Sequence, residues 1–328
     1  MTENKWLRLA SLSLMLILAF ACKKDEEEDT KLYMEGALVA NIPTYLIAGQ
    51  DLDIKAEGIS KPVDSLTYKW FTKGFSVDSL FGSEIIIKAP VKPGDYTISL
   101  YITHPRYSTK TQSFNTTVIN PDADSSFGGV VRSGKFLEDN RDGSKYNYTT
   151  IGSLDWFTFN LNWKGSGKPY LLVEALGDLY GRLYTWEDAK TACPAGWRLP
   201  NNSDWENLAK ELNGGAALPF DGKWPGIGSK LSAKATLNSV NMWKYSPNFQ
   251  YLNQFGWNAI PAGNSTGSFR TFLNKGEYAT WWSADQKDNN NGFYRFIYFD
   301  SPDFPYNFAS KSTFGASVRC VRDVSAAN

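Results

Sequence analysis

Between residues 224 and 306 the chain sets aromatic rings beside amides and acids. Trp224, Trp243, Tyr245, Phe249, Tyr251, Trp281, Phe304 and Tyr306 supply rings, and Asn241, Asn248, Gln250, Asn253 and Asp303 supply hydrogen-bonding edges. An exposed ring packs against the C–H face of a sugar while polar neighbours satisfy the hydroxyls at its rim. The chemistry expected here is therefore non-covalent capture of a polysaccharide or oligosaccharide, with a β-glucan as the candidate ligand. The expected ligand-binding residues are Trp224, Trp243, Tyr245, Phe249, Tyr251, Trp281, Asp303, Phe304 and Tyr306. For any single ring a place in the core competes with that role, most of all for Trp243 and Trp281.

Catalytic chemistry has little to work with. The single histidine, His104, precedes Pro105 in the first half of the chain, which excludes a Ser-His-Asp or Cys-His arrangement within the second half. Zinc ligands are lacking for the same reason. The run Asp288-Asn289-Asn290-Asn291-Gly292 falls short of a calcium-loop pattern and reads as a turn between strands. Paired carboxylates of a glycosidase leave no sequence signature, but no catalytic constellation stands out. The expectation is a protein that is not an enzyme, with no cofactor and no metal. Formal charge is zero and no basic cluster appears, so nucleic acid is excluded as a partner.

The first residues point to export. Lys5 and Arg8 precede an apolar run from Leu9 to Phe20, and the small Ala21 stands directly before Cys22. That run is too short for the roughly 20 residues of a spanning helix and reads as a signal peptide over residues 1–21. The Ala21-Cys22 junction resembles a bacterial lipoprotein signal, with Cys22 as the lipidated residue. Residues 22–31, opening Cys22-Lys23-Lys24-Asp25-Glu26-Glu27-Glu28-Asp29, cannot bury enough apolar surface to fold and form an acidic tether. They resemble the surface-export signal of Bacteroidetes lipoproteins, which implies an outer-membrane, lipid-anchored, surface-exposed chain. Cys193 and Cys320 remain as an even pair in an oxidising compartment and are expected to form a disulfide. In the chain-entropy model a bridge over a loop of that length contributes about 4 to 5 kcal/mol.

Two units must position the rings. Residues 32–121 alternate in short runs, among them Leu52 to Ala56, Leu66 to Phe71, Glu84 to Ile87, Tyr96 to Ile102 and Ser113 to Ile119, as in a β-sandwich. Tyr68-Lys69-Trp70 and Pro93-Gly94-Asp95-Tyr96-Thr97-Ile98 resemble the PKD and immunoglobulin-like modules of bacterial surface proteins, which implies that Trp70 is a core residue. The polar run from Asn120 to Ser126 marks the boundary. Residues 127–324 open with strands over Tyr146 to Gly152 and Trp156 to Leu161, joined by tight turns. Two helices follow. One starts with Thr185 as N-cap and Asp188 at the third position, the other with Ser203 and Glu206. Trp205, Leu208, Ala209 and Leu212 fall on one face of the second, which stops at Gly214-Gly215. From Gly215 to about Lys275 the chain is irregular, yet too aromatic for disorder.

Several short motifs in one order carry a specific resemblance over about Asp139 to Asp323. They include Arg141-Asp142-Gly143, Gly181-Arg182-Leu183-Tyr184-Thr185-Trp186, Cys193-Pro194-Ala195-Gly196-Trp197-Arg198-Leu199-Pro200, Trp282-Ser283 and Ser317-Val318-Arg319-Cys320-Val321. This part of the chain resembles the Fibrobacter succinogenes major paralogous domain. The resemblance implies a C-type lectin-like fold of mixed α and β structure, and a bridge between Cys193 and Cys320. Leu154 and Phe157 depart from the family pattern, as do the extra rings of Tyr245 to Phe255 and Phe304-Pro305-Tyr306. Extra aromatics in variable loops of a constant scaffold are where a ligand is expected. Calcium-dependent lectins hold sugar with acids and amides beside a proline, and Ala259-Ile260-Pro261-Ala262-Gly263 lacks the acids. The segment Arg198-Leu199-Pro200-Asn201 resembles formylglycine-generating enzymes of the same fold class, whose activity needs reactive cysteines; fold alone does not carry function.

The fold class expected is thus a β-rich multidomain chain, an immunoglobulin- or PKD-like sandwich followed by an α+β lectin-like domain. Its expected role is glycan capture at the cell surface for a neighbouring uptake complex, with the first domain as spacer. The alternative is an adhesin or structural surface protein that binds a protein partner through the same loops.

Overall fold

The computed structural model describes residues 31–219 and 221–324. The signal peptide over 1–21, the lipidation site Cys22 and the tether up to residue 30 lie outside the described residues. The chain is strongly β-rich.

Eight strands build the first unit: β1 (Val39–Ala40), β2 (Tyr45–Ile47), β3 (Asp51–Glu57), β4 (Thr67–Phe71), β5 (Ser79–Phe81), β6 (Glu84–Lys88), β7 (Gly94–His104) and β8 (Tyr107–Ile119). They form a three-stranded sheet ordered β1-β3-β6 and a five-stranded sheet ordered β2-β8-β7-β4-β5. In β3 burial alternates strictly, with Leu52, Ile54 and Ala56 inward, the period-2 pattern of a strand with one wet face. Ile85 and Ile87 of β6 meet Trp70, Ile98 and Leu100 of the other sheet in one core. Trp70 is fully buried there and donates its indole N–H to the Gly82 carbonyl at 2.9 Å.

The run from Asn120 to Ser126 docks on the second unit. The Ser126 hydroxyl donates to Asn238 Oδ1 at 2.8 Å and accepts from the Asn120 amide, while Asn238 Nδ2 donates to the Val118 carbonyl at 2.9 Å. Ile119 is fully buried, in a cluster that also holds Tyr45, Ile47, Leu179 and Tyr180. Apolar burial and partly buried hydrogen bonds both cross the junction, so the units are packed together.

In the second unit, Lys145–Ile151, Leu154–Phe157 and Val321–Asp323 pair antiparallel, with Phe136–Glu138 at the edge. A second sheet joins Tyr278–Gln286, Asn291–Tyr298 and Tyr306–Ser310. There are four α-helices among the described residues: α1 (Glu174–Tyr180), α2 (Trp186–Ala192), α3 (Asn202–Leu212) and α4 (Ile227–Leu231). Two more than expected are present, because α1 and α4 are too short to show a periodic stripe. The α2 start is the expected one, with the Thr185 hydroxyl accepting from the Asp188 amide. The α3 start lies two residues earlier than expected. Asn201, not Ser203, is the cap, because its side chain and that of Asp204 satisfy each other's backbone amides in a capping box. Arg198 also ion-pairs with Asp204, tying the cap to the preceding turn. Trp205, Leu208, Ala209 and Leu212 are all buried along one face. No helix of the described residues is long and apolar enough to cross a membrane.

Two features close this domain. Cys193 and Cys320 are bonded, with Cα atoms 5.8 Å apart, and tie the end of α2 to the approach to the last strand. Deeper, the fully buried Arg319 donates to Asn160 Oδ1 at 2.8 Å and to the carbonyls of Phe157, Trp257 and Asn258 at 3.1, 2.6 and 2.8 Å. Burial pulls its pKa well below the ordinary value, yet guanidinium starts so high that four oxygens and the Trp257 face, 4.2 Å away, hold it as a cation. Asn160 also accepts from the Trp281 indole at 2.9 Å. Gly181 leaves room for this centre: its φ is +76°, and a Cβ there would lie 2.5 Å from that of Asn160.

Replacement Arg319→Met nearly keeps the volume, strands the backbone carbonyls of Phe157, Trp257 and Asn258 and leaves Asn160 Oδ1 with the Trp281 indole alone. Urea unfolding is expected to register a loss of about 3 to 5 kcal/mol, and stability within 0.5 kcal/mol of the parent would contradict this role. The double replacement Cys193→Ser, Cys320→Ser is expected to cost about 4 to 5 kcal/mol, because the unfolded chain regains the entropy that the bridge removes, read as a lowered thermal midpoint.

Candidate functional site

The rings singled out in the sequence separate into two groups. Trp224, Trp281 and Phe304 are fully buried, which corrects their assignment as ligand-facing. Phe304 sits amid Trp205, Trp224 and Trp281, with centroids 5.8 to 6.0 Å away. Trp224 donates to the Pro219 carbonyl at 2.7 Å and carries the Arg295 guanidinium 3.3 Å over its ring. Burial pulls the Arg295 pKa down, to about 9, which still leaves it charged at neutral pH. Tyr306, half-buried on the edge strand, faces the same guanidinium at 5.4 Å. Asp303 is half-buried, with its backbone carbonyl packed against Gly228. These five support the sheet and are absent from the lining of the cleft described next.

Trp243, Tyr245, Phe249 and Tyr251 come together in a cleft of about 480 Å³, with Asn241, Gln250, Lys234 and Ser246 among the polar groups around them. Volumes of this order suit a small ligand. Trp243 stacks on Phe249 at 6.1 Å, and Phe249 packs on Tyr251 at 4.9 Å. Trp243 and Phe249 are largely buried and form the floor, Tyr251 is half-buried, and Tyr245 stands 80% exposed at the rim. Burial raises the Tyr251 hydroxyl pKa, so it stays a protonated donor at neutral pH. Asn248 is exposed beside this segment and Asn253 lies just beyond it.

The segment has little regular structure, so individual bonds must fix it. The Lys244 amide donates to the Gly276 carbonyl at 2.8 Å and its ammonium pairs with Glu277 at 2.8 Å. The Ser246 hydroxyl donates to Asp300 at 2.7 Å, and the Trp243 indole to the Ala233 carbonyl at 3.2 Å. The Leu252 and Asn253 amides donate to the carbonyls of Ser229 and Ser232. Asn253 takes a left-handed conformation, φ +43°, and bonds Asn258 through both side chain and backbone. The Asn258 carbonyl is one of those held by Arg319. The far end of the cleft segment is thereby referred to the buried cation.

Sequence reasoning missed Lys234, Ala235, Ser246 and Leu252 as lining residues; Lys234 and Ala235, just past α4, are brought in only by the fold of the chain. Among the described residues no three His, Cys, Asp or Glu side chains gather into a cation-binding group. His104 lies in β7, buried edge-on against Tyr107 at 4.9 Å, and its Nδ1 accepts from the Arg106 amide.

Placing the rings inside the cleft leads to one mutational expectation. Truncation of a floor ring, Phe249→Ala, should destabilise the fold by about 3 kcal/mol, whereas truncation of the rim ring, Tyr245→Ala, should leave thermal stability within about 0.5 kcal/mol. Calorimetry of the two variants checks the partition.

No curated protein matches the chain. The family model described as the Fibrobacter succinogenes major domain matches residues 149–322, which takes in both bridge cysteines, Asn160, Arg319 and the whole cleft. That match spans more than half of the 328 residues, and the chain belongs to the Fibrobacter succinogenes major domain family.

Proposed function

We propose that this protein is a lipid-anchored lipoprotein of the outer membrane that captures a polysaccharide or oligosaccharide at the cell surface, without acting on it chemically. The observation that carries the reading is the cleft of Trp243, Phe249 and Tyr251 beneath the exposed Tyr245, rimmed by Asn241, Gln250 and Lys234. Its rings offer faces to sugar C–H groups and its rim offers donors and acceptors to hydroxyls. The segment is fixed by bonds to Gly276, Glu277 and Asp300, so little conformational entropy is lost on binding. Family membership suggests a cell-surface protein and supports the anchor read from Cys22 and the acidic run after it. A β-glucan is the ligand class proposed, delivered to a neighbouring glycan-uptake complex. The first domain is read as PKD- or immunoglobulin-like on its two facing sheets around Trp70. The second is read as C-type lectin-like on its bridge and long irregular loops.

An affinity gel against a panel of polysaccharides tests the binding. Retarded migration is expected with a β-glucan, and Tyr245→Ala or Tyr251→Ala should each weaken it tenfold or more, about 1.4 kcal/mol. Unchanged migration with every polysaccharide, or retardation only by a protein, would overturn the reading. For the anchor, Cys22→Ala in the native host is expected to move the protein from the detergent-extracted membrane fraction to a soluble one; equal membrane retention would count against lipidation.

A further inference from the structure

Two further hollows continue from the cleft, the first adjoining it and the second adjoining the first. One, of about 330 Å³, lies at the junction of the domains, and the other, of about 460 Å³, lies on the face of the sandwich. Asn241 lines both the cleft and the junction hollow. Tyr45, Asp95 and Thr117 line both the junction hollow and the one on the sandwich. The three are therefore adjacent along one course from the loops of the second domain to the outer face of β7 and β8.

That course is built as a binding surface along its length. On the sandwich face, Asp95 pairs across the strands with Thr117 and Thr97 with Asn115. The two threonine hydroxyls donate to the Asp95 carboxylate at 2.7 Å and the Asn115 amide oxygen at 2.8 Å. These bonds hold a row of carboxylate, amide and hydroxyl groups in fixed rotamers on the strand surface. At the junction, Tyr45 of β2 presents its ring next to Lys275, whose ammonium lies 5.3 Å from the ring centroid and 3.5 Å from the hydroxyl. Tyr180 and Met242, both buried, line the same hollow. The course cannot flex apart freely, because Ile119, Tyr45 and Ile47 pack into one apolar cluster with Leu179 and Tyr180 and Asn238 bonds back to Val118.

We infer that the sandwich domain forms the second half of one extended groove, so that the protein grips several consecutive units of a neutral glycan chain across both domains. The inference rests on the reading of the cleft as a sugar site, and it replaces the role of the first domain as a spacer. A neutral, hydroxyl-rich chain suits the lining: rings of Trp243, Tyr251 and Tyr45 recur along it, separated by amides, hydroxyls and three charges of mixed sign, Asp95, Lys234 and Lys275. A polyanion would meet Asp95 at the sandwich end and a basic peptide would meet Lys234 and Lys275, so neither sign of charge is favoured along the whole course.

The test is isothermal calorimetry of the two-domain chain, residues 31–324, with laminari- and cello-oligosaccharides graded from disaccharide to octasaccharide. Affinity is expected to climb with length until the groove is filled. Asp95→Ala and Asn115→Ala alter exposed side chains of β7 and β8, and circular dichroism confirms that each variant is folded. Each should lower octasaccharide affinity about tenfold and leave disaccharide affinity as it was, whereas Tyr245→Ala should lower both. Equal affinity for short and long oligosaccharides, or an octasaccharide affinity untouched by Asp95→Ala and Asn115→Ala, overturns the inference and leaves the cleft reading standing. Binding of no oligosaccharide at any length overturns both.

Discussion

A guanidinium fully buried without a carboxylate among its hydrogen-bond partners organises the second domain. Arg319 holds the carbonyls of Phe157, Trp257 and Asn258 and the side chain of Asn160. These come from a strand end, from the turn after it and from the irregular region that precedes the second sheet. Removing a cation from water costs several kcal/mol, offset only when every donor finds an acceptor. The arrangement therefore demands one backbone conformation at two places remote from each other and from Arg319 in sequence, around Phe157 to Asn160 and at Trp257 and Asn258. Asn160 extends it to Trp281, and the disulfide fixes the residue after Arg319 to the end of α2. Irregular chain that has no ladder of its own acquires a unique shape by being referred to that point.

This explains where the aromatic content goes. Of the tryptophans among the described residues, only Trp163 is partly exposed. The others fill volume that strands and short helices leave open: Trp156, Trp205, Trp257 and Trp281 pack on one another in tilted and edge-to-face contacts, and Trp257 and Trp281 face the buried cation. Large rings suit such a space because each buries much area with few rotatable bonds. The cleft uses the inner boundary of the same packing: Trp243 and Phe249 belong to the core, and only the outer members of the stack, Tyr251 and Tyr245, reach solvent. Core and site are continuous, which gives a solvent-facing ring the positional rigidity of a buried one.

Local rules made parts of this legible in the sequence. Alternation in Leu52 to Ala56 and Glu84 to Ile87 marks strands because one face is wet, and the Thr185 cap is a contact three residues long. The cysteine pair is expected from parity and from the export that the first residues suggest. Sequence alone misplaces the α3 start by two residues because Asn201 and Ser203 both suit a cap, and the capping box of Asn201 with Asp204 decides between them. The division of rings into core and cleft was not legible. Trp224, Trp243, Trp281 and Phe304 sit in chain with no period of 2 or 3.6, so their direction is set by Arg295, Asn160 and neighbouring rings far away in sequence. The docked junction was equally hidden, since Asn120 to Ser126 has the composition of a loose linker and its bonds to Asn238 arise only in the assembled fold.

Hydroxyl-radical footprinting read by mass spectrometry measures directly which rings meet water and which meet ligand. The account predicts strong labelling of Tyr245 and partial labelling of Tyr251, with Trp224, Trp257, Trp281 and Phe304 unlabelled in the native protein. Addition of a bound polysaccharide should protect Tyr245 and Tyr251. Labelling of Trp224 or Trp281 at the rate of Tyr245, or full labelling of Tyr245 and Tyr251 in the presence of saturating polysaccharide, would contradict it.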